Sequence, residues 1–316
     1  MLVWRRNSPS ATSFAQRVRK LFSVELLINA LVIGILLGGF YAALSIGLSI
    51  SFGLLDIVNI AHPTFIILGS FICYILNTTY GIDPILTGLL FTPLFFLMGT
   101  LIYLIYYERF EKTGAEALRG LAFFFGLLFI VEVALIISFG VDHRLVQAGY
   151  IDFKITFAGI DLPFRMLIPF LIAMIMTLGL QYYSSKTFFG RAMQAVAQDS
   201  LALRLMAVDP AKVKRIAFGI SLATCSIAGA LMIIVIPIEP SVGRLYIGQV
   251  FAIVVLGGLG SQSGTLIAAM LLGLIESIVT TFFGPSWAPA VAFGALILVL
   301  AFKPTGIFGR VGDTRG

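Results

Sequence analysis

Charge is what this sequence has least of. Asp, Glu, Lys and Arg make up 11% of its 316 residues, against roughly 25% in a soluble domain. The deficit excludes an ordinary soluble fold and leaves the membrane class, in line with a 59% hydrophobic share and a mean hydropathy of +1.04. Histidine and cysteine are scarcer still, with two of each. No Cys-x-x-Cys pair or His/Cys cluster occurs, so no metal site is expected. Cys73 and Cys225 fall inside apolar runs and read as buried thiols. There is no GxxxxGK[ST] stretch, so ATP is not expected to bind through a P-loop. "GLGSQSG" (258–264) is Gly-rich, but it follows an apolar run and lacks the acidic residue of a dinucleotide site. No nucleophile–base pair is visible. The chain therefore reads as a non-enzyme with no cofactor. Its net charge of +6 does not point to nucleic acid. The basic residues lie in short loops between apolar runs, as the positive-inside bias produces, and no nucleic-acid motif is present.

Apolar length is what the sequence has most of. Crossing roughly 30 Å of hydrocarbon takes about 20 residues, and runs of that order stand at 24–55, 63–79, 85–107, 121–139, 163–184, 216–237, 262–283 and 286–302. A shorter run stands at 245–258. The 28 Phe and 32 Gly suit helices packed closely in lipid. The expected fold is all-α: a polytopic membrane protein of about eight to nine transmembrane helices, some of them broken. Three parts follow: a basic N-terminal tail (1–23), a transmembrane domain (24–302) and a C-terminal tail (303–316). The N-terminal tail lacks a signal-peptide cleavage pattern, so its removal is not expected.

Loop charge orients the chain. Lys186, Arg191, Arg204, Lys212, Lys214 and Arg215 place 185–215 in the cytoplasm. Counting spans outward puts 107–120 and the C-terminal tail there too, and puts 140–162 outside. "YIDFKITF" in that external loop alternates like a strand. The run 24–55 is long for one helix and short for two. A single crossing puts the basic N-terminal tail outside; a double crossing around Gly38-Gly39 puts it inside. Both stay open at this level.

Two stretches look alike, 47–70 and 251–273. Each is an apolar run, a Gly break, a short polar patch and a second apolar run. Paired discontinuous helices point to a transport pathway. The candidate pathway-lining residues are Asn59, His62, Gly257, Gly258, Gly260 and Glu276. Asp56, Asn59 and His62 are spaced by three, as on one helical face, and Pro63 suits the first position of the next helix. Glu132 and Glu276 sit inside apolar runs, where an ionisable group costs about 2.5–3.5 kcal/mol on insertion scales. They read as helix–helix hydrogen-bonding residues.

The polar stretch "TFFGRAMQAVAQDSLALRLMAVDPAKVKRIAFG" (187–219) carries no catalytic pattern. Gly190 reads as a bend. "RAMQAVAQ" has helical amphipathic spacing, Asp199 or Ser200 can cap a second short helix, and Asp209-Pro210 starts a third. The small side chains of Ala192, Ala195, Ala197 and Ala202 suit insertion into a protein groove; a helix resting on lipid headgroups is the alternative.

Three stretches carry a family resemblance: "YAALSIGLSISFGLLDIVNIAHPTFIILGSF", "GRAMQAVAQDSLALRLMAVDPAKVKRIAFGISLATCSIAGAL" and "VVLGGLGSQSGTLIAAMLLGLIES", with "FKPTGIFGR" at the end. Beyond about residue 25 the chain resembles a permease of the branched-chain amino acid ABC transporter family, the Liv-type inner-membrane subunits. Pro63 departs from the pattern, since the family commonly has Gly after the histidine. The resemblance implies that 185–215 is the coupling segment seated in the ATPase, with Gly190, Arg191, Ala192, Ala195, Asp199, Arg204, Met206 and Asp209 in that role. It implies ABC ATPase subunits, a second related permease subunit, a periplasmic or extracellular substrate-binding protein and membrane lipid as partners, in a bacterial inner membrane. The implied cargo is a branched-chain amino acid or a similar small organic solute; similar permeases serve urea and short-chain amides. A self-contained secondary transporter or channel is the alternative reading.

Overall fold

The computed structural model describes residues 24–112, 116–157, 160–303 and 305–309. The expected N-terminal tail and most of the C-terminal one lie outside these residues. The described elements are α1 (Val24–Ser51), α2 (His62–Tyr80), α3 (Pro84–Tyr106) with a π-helical turn at Tyr107–Glu111, α4 (Glu116–Phe139), β1 (Lys154–Phe157), β2 (Ile160–Pro163), α5 (Phe164–Lys186), α6 (Phe188–Gln198), α7 (Ser200–Leu205), α8 (Pro210–Val235), α9 (Val242–Gly257), α10 (Gln262–Phe283) and α11 (Ala288–Phe302), the last preceded by a 3-10 turn at Pro285–Trp287. Among the described residues, eight spans are long and apolar enough to cross a bilayer. The 16-residue α9 is about 24 Å long, short of the roughly 30 Å core. The strand-like alternation pairs within its own loop: β1 and β2 form an antiparallel hairpin. A bridge between Arg144 and Ile238 ties that loop to the α8–α9 link.

The run 24–55 resolves into one helix that passes unbroken through Gly38 and Gly39. A double crossing is thereby excluded. In a membrane helix those glycines serve contact rather than a turn. A Cβ on Gly38 would come within 2.6 Å of the Met270 backbone, and one on Gly39 would overlap the Phe170 ring. α1 runs antiparallel to α10: Gly34 abuts Leu274, and the Thr265 hydroxyl donates to Ser49 Oγ at 2.9 Å. Val24 and Gln262 therefore stand at opposite ends of the bundle.

The centre is α1 and α8. Every residue of α1 from Gly38 to Ser51 is buried, and 83% of the apolar window of α8 is buried against 6% in the last span. A helix that is apolar all round belongs in such a position. The crossings share a device. Ser221 Oγ donates to the Gly47 carbonyl at 2.6 Å, Ser226 Oγ to Gly88 at 2.8 Å and Ser70 Oγ to Gly229 at 2.7 Å. Each glycine lets a neighbouring backbone approach, and a serine then satisfies its carbonyl. In lipid, where burial gives helices little mutual attraction, such packing and hydrogen bonding hold them together.

Candidate functional site

The first break is a capped helix end. α1's hydrogen bonding runs on to Leu54, whose amide bonds the Ile50 carbonyl; the Ile57 amide then reaches back to Ser51 at 2.9 Å. Just before Ile57, Asp56 stands in the left-handed region at φ 62°, a conformation common where helices end. The expectation that Asp56, Asn59 and His62 share a helical face is thus corrected: residues 52–61 are not helical. Asp56 is exposed, while Asn59 and His62 are buried. Asn59 Oδ1 accepts the Ala61 amide at 3.2 Å, a local turn closure ahead of α2, which starts one residue earlier than expected. His62 lies 3.5 Å from Cys225 Sγ.

The second break falls where expected. α9 ends at Gly257 and α10 begins at Gln262, capped by Ser261 Oγ on the Gly264 amide. Gly258 and Gly260 take φ values of 95° and 80°, conformations that L side chains resist. Gly257 faces the Gly264 and Thr265 backbones at 2.5 Å from where its Cβ would be. The two breaks also meet: a Cβ on Gly53 would overlap the Gly260 amide, and the Phe52 and Phe251 rings lie 5.5 Å apart. The tail after α11 closes over this node. Ile307's amide donates to the Leu256 carbonyl at 2.8 Å, and Gly258 abuts Gly309.

Glu276 joins three helices. Tyr41 of α1 donates to its Oε1 and Gln249 of α9 to its Oε2, each at 2.9 Å. Glu132 instead takes an ion pair from Arg244, 2.8 Å away. Sequence reading missed Arg244 because it stands one residue before the assigned run 245–258.

The polar stretch folds as three capped helices. Thr187 Oγ1 accepts the Gly190 amide, Asp199 Oδ1 the Ala202 amide and Asp209 Oδ1 the Ala211 amide, each at 3.0 Å. Gly190 does not make the bend, which falls at extended Thr187. Gly190 is buried where a Cβ would overlap the Tyr183 carbonyl, so it presses α6 onto the end of α5. The alanine face is also corrected. Ala192 is buried, Ala195 and Ala197 are half-buried against the core, and only Ala202 is exposed. Of the other residues assigned to coupling, Arg191, Asp199, Arg204, Met206 and Asp209 are exposed, with Leu205 at 83% and Met206 at 76% exposure at the tip of the segment. Beneath it, Lys214 Nζ lies 2.6 Å from Glu111 Oε1, and the Tyr103 hydroxyl donates to Oε2 at 2.8 Å. This partly buried pair fastens the start of α8 to the turn after α3. Removing one partner of such a pair costs about 3–5 kcal/mol.

Comparison with known proteins settles what this geometry belongs to. A family model described as "Branched-chain amino acid transport system / permease component" matches residues 30–300. The chain belongs to this family. The permease is 28% identical over 298 residues to the high-affinity branched-chain amino acid transport system permease protein BraD of Pseudomonas aeruginosa, covering 90% of this chain and 96% of that one. It is 24% identical over 291 residues to the corresponding protein LivH of Escherichia coli K12, covering 88% and 94%. It is also 24% identical over 299 residues to LivM of that organism, covering 84% and 67%. No solved structure matches the permease. It is a multi-pass membrane protein and a transport subunit rather than an enzyme.

Proposed function

We propose that the chain is the membrane-spanning permease subunit of an ABC importer in a bacterial inner membrane, forming the pathway for branched-chain amino acids or a similar small organic solute. The observation that carries this reading is the capped helical segment 187–209, rigid within and apolar at its outer tip. Such a segment transmits force and needs no acid, base or nucleophile. Separate ATPase subunits closing on ATP would push or pull on Leu205 and Met206. Likeness to both LivH and LivM supports pairing with a second, related permease subunit. A substrate-binding protein outside the membrane would deliver the solute, which fits the sparse charge of the described spans. Asn59, His62, Gly257, Gly258, Gly260 and Glu276 would frame the pathway from within rather than line it.

Affinity-tagged permease is expected to copurify with an ABC ATPase. Proteoliposomes holding that complex should take up a branched-chain amino acid only with ATP and binding protein present. Uptake by the permease alone would instead establish a self-contained transporter or channel. Orientation has its own check, helped by the burial of both native cysteines. A cysteine at exposed Lys212 is expected to react with an impermeant thiol reagent from the cytoplasmic side only, and one at exposed Gln147 from outside only. The reverse pattern overturns the orientation. With α1 crossing once, Val24 then lies at the outer end.

A further inference from the structure

The ion pair between Arg244 and Glu132 lies below the ends of the helices. Glu132 stands seven residues before the end of α4 at Phe139, about 10 Å into the bundle. Arg244 is in the first turn of α9, which begins against the first turn of α2: a Cβ on Gly243 would lie 3.3 Å from the Thr64 backbone. α2 itself starts inside the bundle. His62 touches Cys225, ten residues before the end of α8 at Val235, or about 15 Å down. Two helix N-termini thus converge within the protein, each with partial positive charge.

The pair is lopsided. The Glu132 side chain is 4% exposed and the Arg244 side chain 50%. A cation at this depth does not rest in lipid; such groups face a bundle interior or a wet cavity. Nη2 of the guanidinium meets Glu132 Oε1, and a half-exposed guanidinium carries more donors than one contact uses, in the planar arrangement that fits a carboxylate. At the same junction Glu132 Oε2 and Thr64 Oγ1 are buried without a partner. A guanidinium open on one side and held from behind by a buried carboxylate offers its fork to the carboxylate of an α-amino acid.

We propose that Arg244, positioned by Glu132, is a binding station on the translocation pathway that takes the carboxylate of the passing solute. The proposal rests on the amino-acid reading above and gives it a residue. It also separates amino acids from urea and amides, which offer the guanidinium no anion.

The test uses the whole transporter in proteoliposomes with ATP and saturating solute-loaded binding protein. Arg244→Gln is expected to cut the maximal uptake rate roughly ten- to a hundred-fold, the range for losing a hydrogen bond to a charged group. Membrane level, ATPase copurification and pairing with the second permease should hold. Arg244→Lys, which keeps the charge but not the fork, should fall between. The deciding variant is the exchanged pair, Arg244→Glu with Glu132→Arg. If the pair only ties α4 to α9, the exchange restores uptake and the proposal fails. If Arg244 takes the solute, the exchange stays impaired because a carboxylate now faces the pathway. Loss of subunit pairing in Arg244→Gln, or wild-type uptake by Arg244→Gln, also overturns it. Failure of the amino-acid reading looks different: the wild-type complex itself would import no carboxylate-bearing solute.

Discussion

Gly258→Ala is expected to destabilise the permease more than any other single-methyl change at the breaks. The residue has φ 95°, and a non-glycine residue forced out of the right-handed regions costs about 1–2 kcal/mol. Its new methyl would also overlap the Gly309 backbone, and overpacking a fitted contact costs about 1–3 kcal/mol. Together these give about 2–5 kcal/mol, enough to lower the thermal midpoint of the detergent-solubilised protein clearly and to reduce uptake with it. Gly126→Ala is the control. That glycine lies within α4 with nothing near its missing Cβ, so alanine there should be neutral or stabilising by up to about 1 kcal/mol. Equal midpoints for Gly258→Ala and wild type would show that the turn does not constrain the fold.

Leu205→Asp combined with Met206→Asp is expected to release the ATPase while leaving the permease in the membrane. Both side chains are almost fully exposed, so the bundle loses little when they change. In a partner's groove each apolar anchor is worth about 2 kcal/mol or more, and inserting two charges there weakens association roughly 100-fold or more. Copurification should fall below detection and uptake with it. Arg191→Glu on the same surface should have a smaller effect, since an exposed charge is screened. Normal membrane levels with intact copurification would show that the tip is not the docking surface. Loss of membrane accumulation with ATPase binding retained would assign the tip to lipid.

The spans were legible because a bilayer imposes one length on every helix, and the runs around α3, α5 and α10 end within a few residues of their observed limits. The second break was legible too, from glycines crowded at 257–260. The first falls within its assigned stretch 47–70 as well, but whether the run 24–55 also turned at Gly38-Gly39 was not legible, for a physical reason. Gly38-Gly39 looks like a break, yet in lipid a glycine pair is as much a contact as a turn. The real stop is Asp56 in a left-handed conformation, a position where Gly or Asn is the usual signal. The segment 187–209 showed its caps in Asp199 and Asp209 but not its facing. Alanines suit a foreign groove and a close internal contact equally well, and only the packing of α6 on α5 decides between them. Lys214 and Glu111 are far apart in sequence, so no local pattern could pair them.

The node where the two breaks meet also has a bearing on how the chain assembles. Gly53 abuts Gly260, and Gly258 is held by Gly309. The α9–α10 link and the stretch after α11 therefore help to complete the end of the first described span. A chain inserted from its N-terminus leaves this side of α1's lower end uncovered until the α9–α10 link has been made. Contacts this distant in sequence form slowly. The serine–glycine crossings of α2, α3 and α8 close earlier and can hold a half-built bundle together. Closure of the node by Ile307 and Gly309 then comes last among these contacts.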